Sequence, residues 1–168
     1  MAKTDSTFIY VATYPNETTA REDYQIVKGL HADGLVGSYD AAVVTKDTNG
    51  KVHANKDETA TRHGAWWGVA AGAAVGLLFP PAVLASAAVG GVAGGVTGHL
   101  AKGMSRSEVK QLGDLIDPGQ AGLVVVGESK VEEAIQNAVT RAEKETAEEL
   151  GVDPKDIDRA LQDATKQM

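Results

Sequence analysis

Four histidines are the side chains of this sequence best suited to metal binding or proton transfer, and no two of them stand four residues apart. His63 and His99 flank an uncharged stretch with Pro80 and Pro81 near its middle. A hairpin folded at the prolines would bring the two imidazoles opposite each other, where they could bind a metal or respond to pH. We favour two interfacial histidines that bind no metal, because no carboxylate accompanies them as a further ligand.

The other residues capable of chemistry do not indicate an enzyme. The glycine run 90–95 follows no predicted strand and lacks a following Lys-Ser or Lys-Thr, so a phosphate-binding loop is poorly supported. No serine stands in the Gly-x-Ser-x-Gly pattern of hydrolases. Acidic pairs such as Glu132–Glu133 and Glu148–Glu149 have lysine and arginine nearby, which favours a solvated surface. We therefore predict a protein that is not an enzyme and uses no cofactor.

Charge and composition restrict the partners and the compartment. The net charge is −7, and residues 128–168 carry eleven acids against six lysines and arginines, so nucleic acid is an unsuitable partner. The chain has no cysteine, which excludes disulfides and thiolate metal sites. Residues 1–15 lack the apolar core of a signal peptide, so we expect a cytoplasmic protein.

The dominant element of the sequence is Gly64–Gly98, thirty-five residues without a charged side chain. Glycine recurs at every fourth position on both sides of the proline pair, which would place the glycines on one ridge of a helix, as in a glycine zipper. The prolines should end the first helix, so we predict a helical hairpin with Leu77–Phe79 near its tip. The residues expected to form its membrane or oligomer contacts are Gly64, Trp66, Trp67, Gly68, Gly72, Gly76, Pro80, Pro81, Gly90, Gly94 and Gly98.

This hairpin has two interpretations. Its arms, 16 and 17 residues long, would each reach roughly 25 Å, slightly less than a hydrocarbon layer of about 30 Å. Trp66 and Trp67 suit a membrane interface, and basic residues outside both ends place the rest of the chain on the cytoplasmic face. Alternatively, several copies bury the glycine faces inside a soluble cytoplasmic assembly. We favour the membrane. A dissolved monomer is not expected under either interpretation, because it would leave much apolar surface exposed.

Hydrophobic patterns around the hairpin predict an α+β fold. Residues 7–14, 39–46, 51–55 and 121–127 read as strands, and 19–32 and the stretch after Ser105 as helices. The order is β-α-β-β-[hairpin]-α-β, which is the ferredoxin-like split β-α-β arrangement with both helices on one sheet face. A second subunit, the hairpin or a C-terminal helix would cover the other face.

We predict three parts of the chain. A ferredoxin-like domain comprises 7–58 and 104–128, the hydrophobic hairpin is inserted at 59–103, and an acidic helical extension occupies 129–168. In that extension, a long amphipathic helix is predicted from Lys130 to Leu150, followed by a last helix that begins at Asp153–Pro154.

The run from about Phe8 to Val126 resembles a bacterial family of unknown function whose members are usually described as predicted membrane proteins and sometimes as stress-induced. The similarity is carried by 40–52, by the Gly/Ala hairpin with Trp67–Gly68 near its start, and by 115–119. The resemblance implies a ferredoxin-like body with a membrane-type insertion and no assigned enzymatic activity. It supplies no catalytic residues, and the acidic tail after Glu145 lies outside it.

Three functions remain open from the sequence. The first is a membrane-associated homo-oligomer with a structural or stress-protective role, whose partners are further copies of itself and lipid. The second is a soluble self-assembling particle with the hairpins packed inside, which could hold hydrophobic cargo. The third is a small-ligand sensor that uses an open face of the sheet, which rests on fold analogy alone.

Overall fold

The computed structural model of the chain is an α+β fold built on one five-stranded antiparallel sheet. It describes residues 6–30, 39–55, 74–75, 77–79, 104–150, 152–153, 155–157 and 159–160. The elements are β1 (Thr7–Tyr14), α1 (Glu17–Gly29), β2 (Tyr39–Lys46), β3 (Val52–Asn55), α2 (Arg106–Asp114), β4 (Ala121–Glu128), a 3₁₀ turn (Ser129–Val131), α3 (Glu132–Ala138) and β5 (Lys144–Glu149).

Short-range signals in the sequence define these elements. The side chain of Asn16 caps α1 by accepting the N–H of Thr19 at 2.9 Å, and Ser105 and Glu108 form a reciprocal capping box at the start of α2. The turn between β2 and β3 closes at Gly50, whose φ of 85° is unfavourable for other residues. The predicted strands β1 and β2 are confirmed to the residue, and β2–β3 is the predicted antiparallel hairpin.

The strands lie in the order β3-β2-β4-β1-β5, and each is antiparallel to its neighbours. Since β1 and β2 are both antiparallel to β4, they run parallel to each other with β4 between them. The unit β1-α1-β2 is therefore a split β-α-β unit, and β4, a nearly continuous apolar strand, is the central strand, as its composition predicts.

The order of the strands differs from the predicted ferredoxin-like sheet. A ferredoxin-like sheet has its first and third strands inside, whereas here β4 separates β1 from β2 and β3 lies at an edge. The two helices also lie on opposite faces, because α1 packs with one set of sheet residues and α2 with the alternate set. A short crossover between two strands restricts the sheet face on which its helix can lie. The connection that precedes α2, residues 56–105, is long, so it allows α2 to lie on the face opposite α1.

The predicted helix from Lys130 to Leu150 is also wrong. The chain forms only the short helix α3, reaches extended backbone at Val139, and continues into β5, which pairs with β1 over Phe8–Thr13. The amphipathic pattern was weak, since its stripe consisted largely of alanine, and pairing with the open edge of β1 overrides helix propensity. The last predicted helix is supported where it is described: residues 155–157 and 159–160 are helical and Ile157 is buried.

The hydrophobic core has two layers, one on each sheet face. The first face carries Ile9, Val11, Val44, Val52, Val124 and Val126, and the second carries Phe8, Tyr10, Tyr39, Val43, Leu123 and Val125. The second face is covered by α1 and α3. The first face is covered by α2, by Ile157, and by part of the predicted glycine-rich hairpin.

Candidate functional site

Most of the residues predicted to form a site lie outside the described residues. These are His63, His99, Gly64, Trp66, Trp67, Gly68, Gly72, Gly76, Pro80, Pro81, Gly90, Gly94 and Gly98. The structure describes only 74–75 and 77–79 of the predicted hairpin, and we call these five residues the docked segment.

The docked segment is a helical piece of the apolar stretch that packs on the first face of the sheet. Phe79 donates its N–H to the carbonyl of Val75 at 3.1 Å, as in a helical turn. Ala74 and Val75 are fully buried, and Leu78 and Phe79 are 5% and 3% exposed. Residues expected at the tip of a hairpin therefore belong to the core of the protein itself.

The docked segment approaches the backbone of helix α2 closely at Gly113. A Cβ atom at this position would lie 2.7 Å from the carbonyl oxygen of Leu78 and 3.7 Å from Cε1 of Phe79. Side chains do not approach a backbone oxygen so closely, so only glycine lets the two backbones meet here. Gly113 stands four residues after Val109 and three before Ile116, on the apolar face of α2.

A lysine at the end of β2 also contacts the docked segment. The Nζ atom of Lys46 lies 5.8 Å from the ring centroid of Phe79 and donates a 2.9 Å hydrogen bond to the carbonyl of Ile116. Cation–π contacts of this kind stabilise aromatic rings. Lys46 thus links the end of β2, the segment that follows α2, and the docked segment.

A buried polar cluster lies on the opposite face and joins three elements. Asp23 of α1 is fully buried and accepts hydrogen bonds from the hydroxyl of Tyr14 at 2.9 Å and from the guanidinium of Arg141 at 2.9 Å. It also accepts the backbone N–H of Arg141 at 3.0 Å, and the same guanidinium pairs with Glu22 at 3.0 Å. The cluster fixes the chain between α3 and β5 onto α1 and β1.

Burial keeps the tyrosines of this region neutral. Burial, and then the hydrogen bond to Asp23, raises the pKa of Tyr14 far above its ordinary value. Burial also raises the pKa of Tyr10, whose hydroxyl donates to Glu145 of β5 at 3.0 Å. Both groups are suited to holding elements together, since a phenol that stays protonated donates its hydrogen bond over the whole physiological range of pH.

One open groove lies between α2 and β5, with a volume of about 400 Å³. Its polar lining includes Glu108 and Asp114 of α2 and Lys144, Thr146 and Glu148 of β5. Both sheet faces are covered by other described residues, so an open sheet face for a small ligand is not found in the described part of the chain. Glu148 and Glu149, expected on a helix surface, lie on the edge strand of the sheet.

The described histidine and carboxylates do not assemble a metal centre. Within the described ranges, no three histidine or carboxylate side chains come together in a geometry that could hold a metal ion. His53 of β3 pairs with Asp47 at 3.3 Å in the β2–β3 turn. The backbone N–H of Lys51, and to a smaller degree His53, lowers the pKa of that carboxyl, so the pair belongs to the turn.

Sequence reasoning missed the residues that form these contacts. Gly113 interrupts the predicted helix α2 on its apolar face, and a helical glycine in that position is a usable signal of close packing. Asp23 lies on the face of α1 that also carries Tyr24 and Val27. A polar residue within an apolar stripe is the one signal in the sequence that could have predicted its burial. Nothing local marks its partner Arg141, which lies over a hundred residues away.

The fold defines the class of protein: an α+β domain with a five-stranded antiparallel sheet, on which the docked segment of its glycine-rich stretch packs. A family model described as "Protein of unknown function (DUF1269)" matches residues 65–159, and the chain belongs to that family. The match starts later than the predicted resemblance and continues through β5 to residue 159, so most of the acidic tail lies inside it. No curated protein and no solved structure matches the chain.

No helix within the described part of the chain is long and apolar enough to traverse a bilayer.

Proposed function

We propose that this chain is a non-enzymatic, self-assembling protein with a structural or stress-protective role, in which the glycine-rich segment is buried against protein. The docked segment carries this proposal. Leu78 and Phe79 are the large apolar residues that a membrane hairpin would place deepest in lipid, yet they pack on α2 and the sheet. A tip that packs on its own domain is not available to the bilayer in the same state.

Self-assembly follows from the uncharged sequence on both sides of the docked segment. Residues 64–73 and 80–98 carry no charge and are rich in glycine and alanine, which is a composition that must be buried against something. Glycine at every fourth position suits close packing of helices, and further copies of the same segment are the most available partner. The protein would then be a homo-oligomer whose acidic surfaces face the solvent.

A membrane-associated assembly on the cytoplasmic face is the second candidate function. Its support is the sequence of 64–98, with Trp66 and Trp67 at one end and basic residues beyond both ends. In that case the docked segment would have to leave α2 before the hairpin enters lipid. Neither candidate involves nucleic acid, an enzymatic step or a cofactor.

Measuring the native mass of the full chain, with and without detergent, tests both candidates. We expect a defined oligomer without detergent, by sedimentation velocity, and no flotation with vesicles of phosphatidylcholine and phosphatidylglycerol. Gly72→Leu and Gly94→Leu should each abolish the oligomer, while Gly29→Leu, at a helix end where a Cβ would meet no described residue within 4 Å, should leave it intact.

The outcomes separate the candidates. Flotation of most of the protein with vesicles would replace the proposal by its membrane alternative. A dissolved monomer at high concentration without detergent would overturn both. Oligomers that survive both glycine substitutions would show that the glycine ridge is not the contact between copies.

A further inference from the structure

The outer edge of β5 is a backbone surface with which no other described strand pairs. β5 is the last strand on its side of the described sheet. Leu150 donates its N–H to the carbonyl of Thr7 at 2.8 Å, so these two residues form a hydrogen-bonded pair. Such pairs alternate along antiparallel strands, and alternate residues of β5 therefore direct their N–H and C=O groups away from β1. These residues are Glu145, Ala147 and Glu149.

The charges on this edge are mixed and symmetrically placed. Lys144 and Glu148 stand two residues before and two residues after Thr146, and the three side chains line the same groove. Natural edge strands usually carry charges that deter pairing. Here, an antiparallel copy centred on Thr146 would place each Lys144 opposite a Glu148, so the same charges favour pairing with an identical strand.

We propose that β5 pairs with β5 of a second copy about a two-fold axis at Thr146, which joins two sheets into one of ten strands. This inference rests on the proposed self-assembly and names one of its contacts. In this register Glu145 lies opposite Ala147, and both direct their backbone groups outward, so the hydrogen bonds and the charges select the same alignment.

Neighbouring registers are worse. A shift that centres the axis on Ala147 places Glu145 opposite Glu149, and one that centres it on Glu145 places two identical carboxylates together. Both remove the Lys144–Glu148 pairs. The one unfavourable pair of the proposed register is Glu143 with Glu149, and their carboxylates are held by Gln120 at 3.3 Å and Ser129 at 2.5 Å. In the single chain, Lys144 lies 3.9 Å from Asp117. This ion pair is exposed and weak, so Lys144 can give it up to pair with Glu148 of the second copy.

Single cysteines test this register cleanly, because the chain has no cysteine of its own. At the two-fold axis, Thr146→Cys would face its own copy as a non-hydrogen-bonded pair, about 4.5 Å apart at Cα, which a disulfide can bridge. We expect most of this variant to form a disulfide-linked dimer under mild oxidation. Lys144→Cys and Ala147→Cys should form several-fold less, because each would lie opposite a different residue.

Charge exchange gives a second readout that does not depend on oxidation. Lys144→Glu and Glu148→Lys should each weaken self-association at least tenfold by sedimentation equilibrium, and the double variant should recover it. Lys51→Glu makes the same charge change at the opposite edge of the sheet and should have no such effect. An oligomer of native mass without cross-linking at Thr146 would overturn this contact and leave self-assembly standing, whereas a monomeric wild type would overturn both.

Discussion

Replacing Gly113 by alanine is the most direct test of whether the glycine-rich stretch packs on its own domain. In the interior of an exposed helix the change from glycine to alanine stabilises a protein by about 0.5–1 kcal/mol. At Gly113 the new methyl group would lie 2.7 Å from the carbonyl oxygen of Leu78, well inside van der Waals contact. Either α2 or the docked segment must move, and overpacking of this kind costs about 1–3 kcal/mol.

We therefore expect Gly113→Ala to lower the free energy of unfolding by about 1–2 kcal/mol, or about 2–6 °C in Tm for a chain of this length. Gly29→Ala is the matched control, since Gly29 is also a helical glycine, but no atom of the described residues lies within 4 Å of the place that a Cβ would occupy there. It should be neutral or slightly stabilising. The difference between the two variants isolates the contact with Leu78 from the general effect of removing a glycine.

Urea unfolding followed by two probes makes the assay specific. Far-UV circular dichroism reports on the sheet, and tryptophan fluorescence reports on the glycine-rich stretch, because Trp66 and Trp67 are the only tryptophans. In Gly113→Ala the fluorescence transition should come at lower urea than the dichroism transition, as the docked segment is released first. If Gly113→Ala is as stable as Gly29→Ala with coincident transitions, Leu78 does not lie against α2 and the reasoning is refuted.

Variants at three further positions probe other contacts. Phe79→Ala should cost about 3–5 kcal/mol in urea unfolding, since it empties a buried ring site, while Phe79→Leu should cost clearly less. Tyr14→Phe should cost about 1.5–3 kcal/mol by removing a hydrogen bond to the buried carboxylate of Asp23. The pKa values of Tyr10 and Tyr14 are raised in the folded state. Their contribution to folding stability is therefore fully present below about pH 10, where unfolded phenols begin to ionise, and is lost as pH rises further. Tyrosinate absorbance should therefore appear together with alkaline unfolding. Ser105→Ala should cost about 1 kcal/mol by breaking the capping box of α2.

Local patterns in the sequence predicted the elements well where one strong signal acted alone. β1 and β2 alternate between two buried faces and are rich in β-branched and aromatic residues, and both were predicted to the residue. The cap of α2 at Ser105 followed from the spacing of serine and glutamate. In each case the signal lies within a few residues of the structure that it specifies.

The order of the strands and the path of residues 130–150 could not be predicted in this way. Residues 144–149 carry three glutamates and one alanine and read as helix, yet they form a strand because β1 offers a free edge next to them. The position of β4 between β1 and β2 likewise depends on contacts between residues over seventy positions apart. Such choices are made by tertiary packing and leave no local trace.

The candidate site shows the same limit. The uncharged stretch 64–98 identified the segment that must be buried, but composition alone did not indicate what buries it. The docked segment is buried against Gly113 of α2 and Lys46 at the end of β2, and neither residue belongs to the uncharged stretch. Sequence reasoning named a second subunit, the hairpin and a C-terminal helix as alternatives. Among the described residues, the docked segment and Ile157 lie on the first face together with α2.

The family match and the sheet topology together indicate how the two halves of the chain depend on each other. Residues 65–159 contain the docked segment, α2, β4 and β5, so the contact at Gly113 lies wholly inside the family region. However, β4 and β5 do not touch, because β1 lies between them, and β2 covers the other edge of β4. A fragment restricted to 65–159 would expose both edges of its central apolar strand, and we expect it to aggregate unless a fragment carrying β1 and β2 is expressed with it.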